Sequence, residues 1–358
     1  MSKTMELQRL KAELLASEKP PRAREAAKQL GVSEAEYVAL SCGDGDAANR
    51  RLKREGFVAM LQALHQAGEV MALTRNEAVV MEHHGVYRNA VVKHNHVMFI
   101  EPEMDLRLKV TAWQYGFAVN ENGRRSLQFF AADGQAAHKI YMTEASDREA
   151  YDKLVAQYGT DGGFEGMSVS PSPTGSPDET AMLQVDADAI RKDWRALDNA
   201  HHVNALLKAY GLTRPQVYRY LGDEAVRLQP DALKSLLEQA SDQAWSLLMF
   251  VPNGAATQIH NGTVHTLMEM GPWFNVLDAK FNLHANLALI TQAWWVRKPS
   301  DGRMVTSLEL FDADDNAVMM VYLHPDDRGP ERLAQWDAFL LSLSVFAATA
   351  TTTAQEVT

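Results

Sequence analysis

Gly31-Val-Ser-Glu-Ala-Glu-Tyr37 returns later in the chain as Gly211-Leu-Thr-Arg-Pro-Gln-Val217. In the same order, Ser126-Leu-Gln-Phe-Phe130 returns as Ser307-Leu-Glu-Leu-Phe311. Matches in the same order at nearly constant offset indicate a duplicated domain rather than a short-period solenoid. Because two copies are free to diverge, the positions at which they differ are the first candidates for function.

The composition places the chain among soluble globular proteins. Its 358 residues suffice for two domains, and 46% of them are hydrophobic and 23% charged. A formal charge of −11 argues against a surface devoted to nucleic acid or acidic lipid. The single cysteine, Cys42, forms no internal disulfide. Without a secretory signal or a stretch of roughly 18 apolar residues, we expect a cytoplasmic protein with no membrane insertion.

Each copy is organised as helices followed by strands. Helical periodicity opens residues 1–160 and residues 181–345, and alternating or β-branched segments follow it in both. Residues 161–180 are rich in Gly, Ser and Pro and predict a flexible linker, while residues 346–358 predict a frayed tail. This order predicts an α+β fold, a tandem duplication in which antiparallel β-sheets are flanked by helices.

Local signals predict where individual elements begin and end. Ser33 followed by Glu36 predicts a capping box at a helix N-terminus. Asn122-Gly123 and Asp133-Gly134 predict hairpin turns. Periodicity predicts one long helix from Ala187 to Tyr210 at the start of the second copy.

His201 is the candidate ligand that the residues themselves single out. It precedes His202 on the predicted long helix, at the edge of the helix's apolar stripe. A neutral imidazole is the commonest metal ligand and the axial ligand of many haem proteins. A His pair on an amphipathic helix is also commonly exposed or hydrogen-bonded in place, and the residues alone leave both interpretations open.

The first copy lacks an equivalent of His201. Its counterpart of the long helix, from Ala12 to Leu30, is interrupted by Pro20-Pro21 and contains no histidine. Proline cannot bind iron and breaks a helix. We therefore predict that only the second copy presents a ligand.

Other metal-binding and catalytic patterns are weaker or absent. The sequence has no HExxH, CxxC or G-x-S-x-G motif, and no glycine-rich phosphate loop follows a strand. The pair His83-His84 has a spacing that can chelate a metal from a strand or turn. His94 and His96 are expected on one face of an alternating strand, without an identifiable third ligand.

Residues 26–37 and 206–220 have the spacing of a helix-turn-helix motif. A DNA-reading helix needs basic and amide side chains that reach bases and phosphates. The second helix of the first segment carries Glu34 and Glu36 instead, although that of the second carries Arg214 and Arg219. We interpret both segments as packing modules and keep DNA binding as a remote alternative.

Arg107 marks a second difference between the copies. It stands in Met104-Asp-Leu-Arg-Leu108, whose counterpart Phe281-Asn-Leu-His-Ala285 has His284 at the same position. In an alternating strand Arg107 faces away from its apolar neighbours. It is then either a solvated edge residue or a donor directed into a cleft.

Several segments resemble the cytoplasmic haem-utilisation proteins of Gram-negative bacteria, the HemS/ChuS/PhuS type of haemin transport or haemin-degrading factor. The resemblance covers nearly the whole chain, including the repeat. It is carried by EPEMDLRL at residues 101–108, AHHVNALLKAYGLTR at residues 200–214, GPWFNVLDAKFNLH at residues 271–284, WWVRKP at residues 294–299 and TSLELFDA at residues 306–313.

The resemblance implies two similar halves, each a large antiparallel sheet flanked by helices, with haem held using both. It implies that His201 is the axial ligand of the haem iron, with His202 beside it as in the PhuS subgroup. There, a further His two positions on is matched here by Asn204. It places the distal arginine at Arg107, which acts across the haem and is the catalytic residue if haem is degraded.

By the same resemblance, Arg214 and Lys298 match basic residues near the haem propionates, with the cations at the rim of the site. The family contains haem carriers and haem-degrading proteins, so two functions remain open. As a carrier, the chain takes haem from an inner-membrane importer to a separate haem oxygenase. As an enzyme, it opens the porphyrin with an external electron donor, and the His-His variant favours the carrier.

The chain departs from the family pattern at several positions. Lys109 replaces an aromatic residue two positions after the distal arginine. Met319-Met320 and Pro325 stand where a polar residue and an arginine are expected near the last strand. These changes affect the expected distal packing and one propionate contact, and leave the His ligand in place.

Overall fold

The computed structural model describes residues 2–43, 48–94, 96–121, 123–171, 179–182 and 185–345. Contacts divide the chain into two units. Unit 1 comprises Met1–Arg75, Met81–Thr174 and Pro252–Ile259, and unit 2 comprises Asn76–Val80, Gly175–Val251 and His260–Thr358. The predicted boundaries at residues 161–180 stay a prediction, because residues 172–178 and the predicted tail, residues 346–358, lie outside the described ranges.

The described helices open and close each copy of the repeat. They are α1 (Lys3–Leu15), α2 (Ala23–Gln29), α3 (Glu34–Ala39), α4 (Phe57–Ala63), α5 (Arg148–Tyr158), α6 (Glu179–Met182), α7 (Ala187–Arg195), α8 (Val203–Tyr210), α9 (Arg214–Tyr218), α10 (Ala232–Asp242) and α11 (Pro330–Ser342). Among them, none is long and apolar enough to cross a membrane.

The strands occupy the middle of each copy. They are β1 (Arg50–Leu52), β2 (Gly68–Arg75), β3 (Val79–Gly85), β4 (Val91–Lys93), β5 (His96–Glu101), β6 (Met104–Lys109), β7 (Trp113–Glu121), β8 (Arg124–Ala131), β9 (Ala136–Ser146), β10 (Gly159–Thr160), β11 (Ala225–Leu228), β12 (Leu247–Pro252), β13 (Ala256–Gly262), β14 (Leu267–Met270), β15 (Trp273–Leu277), β16 (Phe281–Asn286), β17 (Gln292–Ser300), β18 (Arg303–Phe311) and β19 (Ala317–Leu323).

In unit 1, six strands lie in the order β10-β1-β7-β8-β9-β2, and β4-β5-β6 continue to the residues of β13 that belong to this unit. All the pairings of these strands are antiparallel. The main core of the unit forms where helices cover the sheet, around Phe57, Trp113 and Phe129. Trp113 stacks on Phe129 with ring centroids 4.6 Å apart.

In unit 2, five strands lie in the order β11-β17-β18-β19-β12, and β14-β15-β16 form a second antiparallel set. Helices α7, α8 and α9 pack on the five-stranded part through a core around Trp194, Tyr218 and Trp294. Tyr218 makes edge-to-face contacts with both tryptophans. The predicted α+β class, with antiparallel sheets flanked by helices, is confirmed.

Equivalent asparagines begin the two segments that leave the unit of their own copy. Asn76 lies in unit 2, where its Nδ2 donates to the Val318 carbonyl at 2.8 Å. Asn253 lies in unit 1, where its Nδ2 donates to the Ala137 carbonyl at 2.9 Å. Each unit therefore contains a short piece of the other copy of the repeat.

The local predictions hold where their partners are close in sequence. Ser33 and Glu36 form the predicted capping box at the start of α3. Gly134 adopts a positive φ of 74° in the turn between β8 and β9, as the predicted hairpin requires. Of the other predicted turn, Asn122 lies outside the described residues, and Gly123 has φ of 83°.

The prediction of one long helix over Ala187–Tyr210 is wrong. The chain leaves the helix after Arg195 and resumes in a 3-10 turn at Ala200–His202, which leads into α8. The break occurs because the Asn199 side chain accepts from the His201 N–H at 2.9 Å and so caps the new turn. The amide of Asn199 is in turn held by Asp301 at 2.8 Å.

Candidate functional site

His201 and His202 lie in the 3-10 turn that precedes α8, and both are exposed. Neither imidazole ring makes a hydrogen bond to another residue in the described part of the chain. The backbone of the turn is held by the end of β17, because the Ala200 N–H donates to Ser300 Oγ at 3.3 Å. A neutral imidazole on a fixed backbone, with its nitrogens open to solvent, is able to bind a metal.

Arg214 is the first residue of α9, which follows α8 after a short loop. Thr213 is its N-cap, and a capping box with Gln216 sets the direction in which the helix leaves the loop. The Thr213 hydroxyl also donates to Asp315 at 2.6 Å, which holds the cap to the strand region. Gly211 completes the preceding turn with φ of 65°, which glycine adopts without strain. The local sequence thus directs the Arg214 side chain onto the sheet.

Arg214 forms an ion pair with the buried carboxylate of Glu309 on β18. Glu309 accepts at Oε2 from Arg214 Nη1 at 3.2 Å and from the Tyr218 hydroxyl at 2.6 Å. Its Oε1 accepts from Lys298 Nζ and from the Ser307 hydroxyl. The side chain of Glu309 is 0% exposed and that of Lys298 is 1% exposed. Both oxygens of a fully buried carboxylate are therefore paired.

The three ionised groups stabilise one another's charges. Burial by itself raises the pKa of Glu309, but Lys298 and Arg214 outweigh it and lower that pKa to about 2. Burial likewise lowers the pKa of Lys298, but the Glu309 carboxylate outweighs it and the pKa lies above its usual value. Two cations and one carboxylate remain ionised together, so this cationic cluster of Arg214, Lys298 and Glu309 carries one net positive charge.

Asn204 connects the cationic cluster to the histidine segment. Arg214 Nη2 donates to Asn204 Oδ1 at 3.1 Å, and Asn204 lies in the first turn of α8. The side chain of Arg214 is 16% exposed, and its partner Asn204 lies three residues after the exposed His201. The structure brings together His201, Asn204 and Arg214, and places Lys298 behind them. Lys298 is buried and therefore does not lie at the rim of the site, where the family resemblance had placed it.

Arg107 lies on β6, in unit 1. On β6 its neighbours Leu106 and Leu108 are fully buried while Arg107 is half-buried, as the alternation predicts. Its Nη1 pairs with Asp105 and donates to the Phe99 carbonyl at 3.0 Å. A guanidinium held at one nitrogen keeps the donors of its other nitrogens for a ligand or water.

The remaining histidines do not form a metal site in the described residues, where no group of three metal-binding side chains occurs. His83 is buried and its Nδ1 lies 2.9 Å from Gln258 Nε2. The expectation for the second pair is wrong: His94 lies in a turn with φ of 46°, and only His96 lies in a strand. A side chain at positive φ leaves the strand's alternation, so the two rings do not share a face.

Glu34 explains why the helix-turn-helix spacing occurs in the first copy. It is 6% exposed and its carboxylate pairs with Lys139 of β9. The face of α3 that a DNA-reading helix would present is therefore packed on the sheet, as the packing interpretation expects. In the second copy Arg214 is likewise directed to the sheet.

Sequence reasoning missed Glu309 and Tyr218 as parts of the site. The signal was present in the repeat, because Ser307-Leu-Glu-Leu-Phe311 has a glutamate where Ser126-Leu-Gln-Phe-Phe130 has Gln128. Gln128 is 2% exposed and its Nε2 donates to Ser126 Oγ at 3.0 Å; the equivalent residues of the second copy are also bonded, but there Ser307 Oγ donates to Glu309 Oε1. A new charge at a buried position of one copy indicates a partner that the other copy lacks.

Comparison with known proteins places most of the chain in one family. Residues 31–158 and residues 211–343 match the model described as the haemin-degrading HemS/ChuX domain. The haemin transport protein HemS of Yersinia enterocolitica is 35% identical over 320 residues, which are 88% of this chain and 90% of that protein.

Solved structures agree with the fold. Holo-PhuS, a haem-binding protein from Pseudomonas aeruginosa, is 37% identical with a TM-score of 0.83, over 92% of this chain and 95% of that one. ChuS, a haem-degrading enzyme of Escherichia coli O157:H7, is 30% identical with a TM-score of 0.83, over 95% of this chain and 99% of that one. These matches confirm the resemblance that the quoted motifs suggested.

Proposed function

The chain belongs to the haemin-degrading HemS/ChuX family, and on that premise we propose that it binds haem, receiving imported haem in the cytoplasm and carrying it or degrading it to release iron. One observation carries the proposal: an exposed imidazole, His201, and a cationic cluster are linked through Asn204. Haem presents an iron atom that takes a nitrogen ligand and carboxylates that take cations. The residues present therefore fit haem.

Within this proposal, His201 would ligate the haem iron, with His202 as its neighbouring alternative. Arg214 would receive a carboxylate, and Lys298 would add positive charge behind it. The family resemblance assigns Arg107 the role of a hydrogen-bond donor towards haem. Bound haem supplies redox chemistry at iron, while these residues bind it, orient it and hold protons.

The binding step is tested by titrating the purified chain with haemin and following the Soret band. A saturable shift at one equivalent supports the proposal. Non-saturable absorption, equal to that of a protein without haem affinity, overturns it. His94→Ala serves as a matched control, since His94 is an exposed histidine outside the candidate site.

Two roles for bound haem remain, and the relatives include both a haemin transport protein and a haem-degrading enzyme. A carrier gives haem from an inner-membrane importer to a separate haem oxygenase. An enzyme opens the porphyrin with electrons from an external donor. The adjacent imidazoles of His201 and His202 favour the carrier, because neighbouring ligands allow haem to be passed on by exchange.

The roles are separated by adding a reductase or ascorbate to the haem complex in the presence of catalase. Formation of a bilin and release of iron under these conditions identify an enzyme. Persistence of the Soret band, together with transfer of haem to an added haem oxygenase, identifies a carrier. A loss of the band that occurs only without catalase reflects peroxide damage and counts against the enzyme.

A further inference from the structure

The cationic cluster has a fixed count of charges. Arg214 and Lys298 contribute two positive charges and Glu309 one negative charge, and the side chains are 16%, 1% and 0% exposed. The Asp315 carboxylate accepts from the Thr213 hydroxyl and from Gln292 Nε2 at 2.6 Å each, and it is not among the main charges that shift the pKa of Arg214, Lys298 or Glu309. An uncompensated buried charge is costly, so a single positive charge here favours one anionic group.

Glu309 is expected to keep its hydrogen bonds when a ligand binds. It accepts four hydrogen bonds, from Arg214, Tyr218, Lys298 and Ser307, and it is fully buried. Arg214 has five N–H donors, and in the described part of the chain they make hydrogen bonds to three side chains. Donors therefore remain for a ligand, whereas the acceptor positions of Glu309 are filled.

Asn204 is the group that a ligand can replace. It is exposed, and its neutral amide oxygen accepts a single bond from Arg214 Nη2 at 3.1 Å. A ligand carboxylate makes a stronger, charge-assisted bond to a guanidinium than a neutral amide does. The carboxylate would thus arrive on the side of Asn204, which is also the side of His201.

We propose that Glu309 limits the cationic cluster to one ligand carboxylate, so that a dicarboxylate such as haem places one carboxylate against Arg214 and leaves the other in water. The inference rests on the proposed function, which supplies the dicarboxylate. With one carboxylate bound the cluster is neutral. A second would make it a buried anion, which the low polarity of the interior disfavours.

The other copy shows that the fold accepts an amide at this position. Gln128 occupies the register of Glu309 on β8 and is equally buried. Glu309→Gln therefore changes the charge of the cluster from one positive to two with little change in shape. This variant should admit a second carboxylate and so change which ligands are preferred.

Metal-free protoporphyrin and its methyl esters test how many ligand carboxylates the cationic cluster binds, without a contribution from iron. The whole chain is titrated at pH 7.5 with the diacid, the monomethyl ester and the dimethyl ester, and fluorescence gives each Kd. We expect the diacid and the monoester to bind within about threefold of each other, and the diester at least about tenfold more weakly. In Glu309→Gln the diacid should bind about tenfold more tightly than the monoester.

The matched control is Glu34→Gln/Lys139→Met, which removes both buried charges of the pair in the first copy and should leave the ligand preference unchanged. A wild-type chain that binds the diacid tenfold better than the monoester overturns the proposal, whether or not Glu309→Gln folds. A folded Glu309→Gln, by circular dichroism, with the wild-type preference also overturns it. If haemin itself gives no saturable Soret shift, the proposed function fails; equal binding of diester and diacid with haemin still bound contradicts only the carboxylate count.

Discussion

Glu34 and Arg214 occupy the same position in the two copies of one capped helix, and they enter buried ion pairs of opposite polarity. Glu34 follows the N-cap Ser33 and pairs with Lys139. Arg214 follows the N-cap Thr213 and pairs with Glu309. Both copies keep the helix, its cap and an ion pair with the sheet, but the partners lie on different strands, Lys139 on β9 and Glu309 on β18.

The opposite polarity changes what each copy can hold. In the first copy the side chains of the pair are only 5% and 7% exposed, and burial of Glu34 is outweighed by Lys139, Arg75 and Arg24, which lower its pKa. In the second copy Lys298 is added, and a net positive charge remains next to the exposed imidazole of His201. We therefore expect the cationic cluster of the second copy to stabilise an anionic ligand near His201.

Removing both imidazoles should abolish specific haem binding. His201→Ala should weaken the Soret shift, His202 should supply part of the lost ligation, and the double variant should lose the shift because no nitrogen ligand remains. Haemin titration of the single and double variants measures this, with His94→Ala for comparison. An unchanged spectrum in the double variant would refute the assignment of the ligand.

Arg107→Ala should leave haemin affinity within about tenfold of wild type while changing the spin state of the iron. The family resemblance implies that the guanidinium acts by hydrogen bonding at the iron centre rather than by supplying the main binding energy. Absorption and electron paramagnetic resonance spectra of the ferric complex provide the measurement. Lys93→Ala, which removes an exposed cation on β4, is the control; identical spectra for Arg107→Ala and wild type would exclude a distal role.

One haem should bind per chain. In the first copy α1 ends at Leu15 and α2 begins at Ala23, so the residues around Pro20-Pro21 present neither a helix nor a histidine. The break point of a haemin titration measures the stoichiometry. Two equivalents bound with similar affinity would contradict the asymmetry between the copies.

Acid should destabilise the protein before its carboxylates titrate. Burial lowers the pKa of His138 to about 3 and that of His260 to about 4. Since the unfolded chain takes up these protons near pH 6.5 and the folded chain does not, stability is complete above pH 6.5 and falls as the pH drops towards those values. Each histidine at full slope contributes about 1.4 kcal/mol per pH unit.

Urea unfolding between pH 7.5 and pH 5 measures this dependence. His138 bonds to the Tyr87 hydroxyl at 2.6 Å and to Thr74 Oγ1 at 2.9 Å, so His138→Gln keeps polar atoms in place without the titration. Its free energy of unfolding should fall less steeply with decreasing pH than that of wild type. Equal slopes in the two proteins would show that His138 does not carry the effect.

The pair Glu34–Lys139 should behave as a coupled unit. Lys139→Met alone leaves a buried carboxylate without its cation and should cost about 3–5 kcal/mol of folding free energy. Glu34→Gln/Lys139→Met should cost clearly less, because the carboxylate and the ammonium of the pair are removed together; Met320 holds the equivalent position in the second copy. A double-mutant cycle by urea denaturation measures the coupling, and additive effects of the two substitutions would disprove it.

The sequence by itself determined the features that depend on near neighbours. The duplication is visible in the sequence itself, and the capping box at Ser33 and the alternation that sets Arg107 apart from Leu106 and Leu108 follow from residues within a few positions of one another. Such contacts are formed by backbone geometry that the local residues dictate. The same holds for the helix break at Pro20-Pro21.

Only the tertiary structure decided what the candidate site contains. Asn199 ends the predicted long helix because Asp301, a hundred and two residues away, holds its amide. Glu309 becomes the centre of a cationic cluster because α9 and β17 bring Arg214 and Lys298 to it from different parts of unit 2. Buried charges select partners by distance in space, and a pattern of near neighbours carries no information about which distant charges meet or how many remain unpaired.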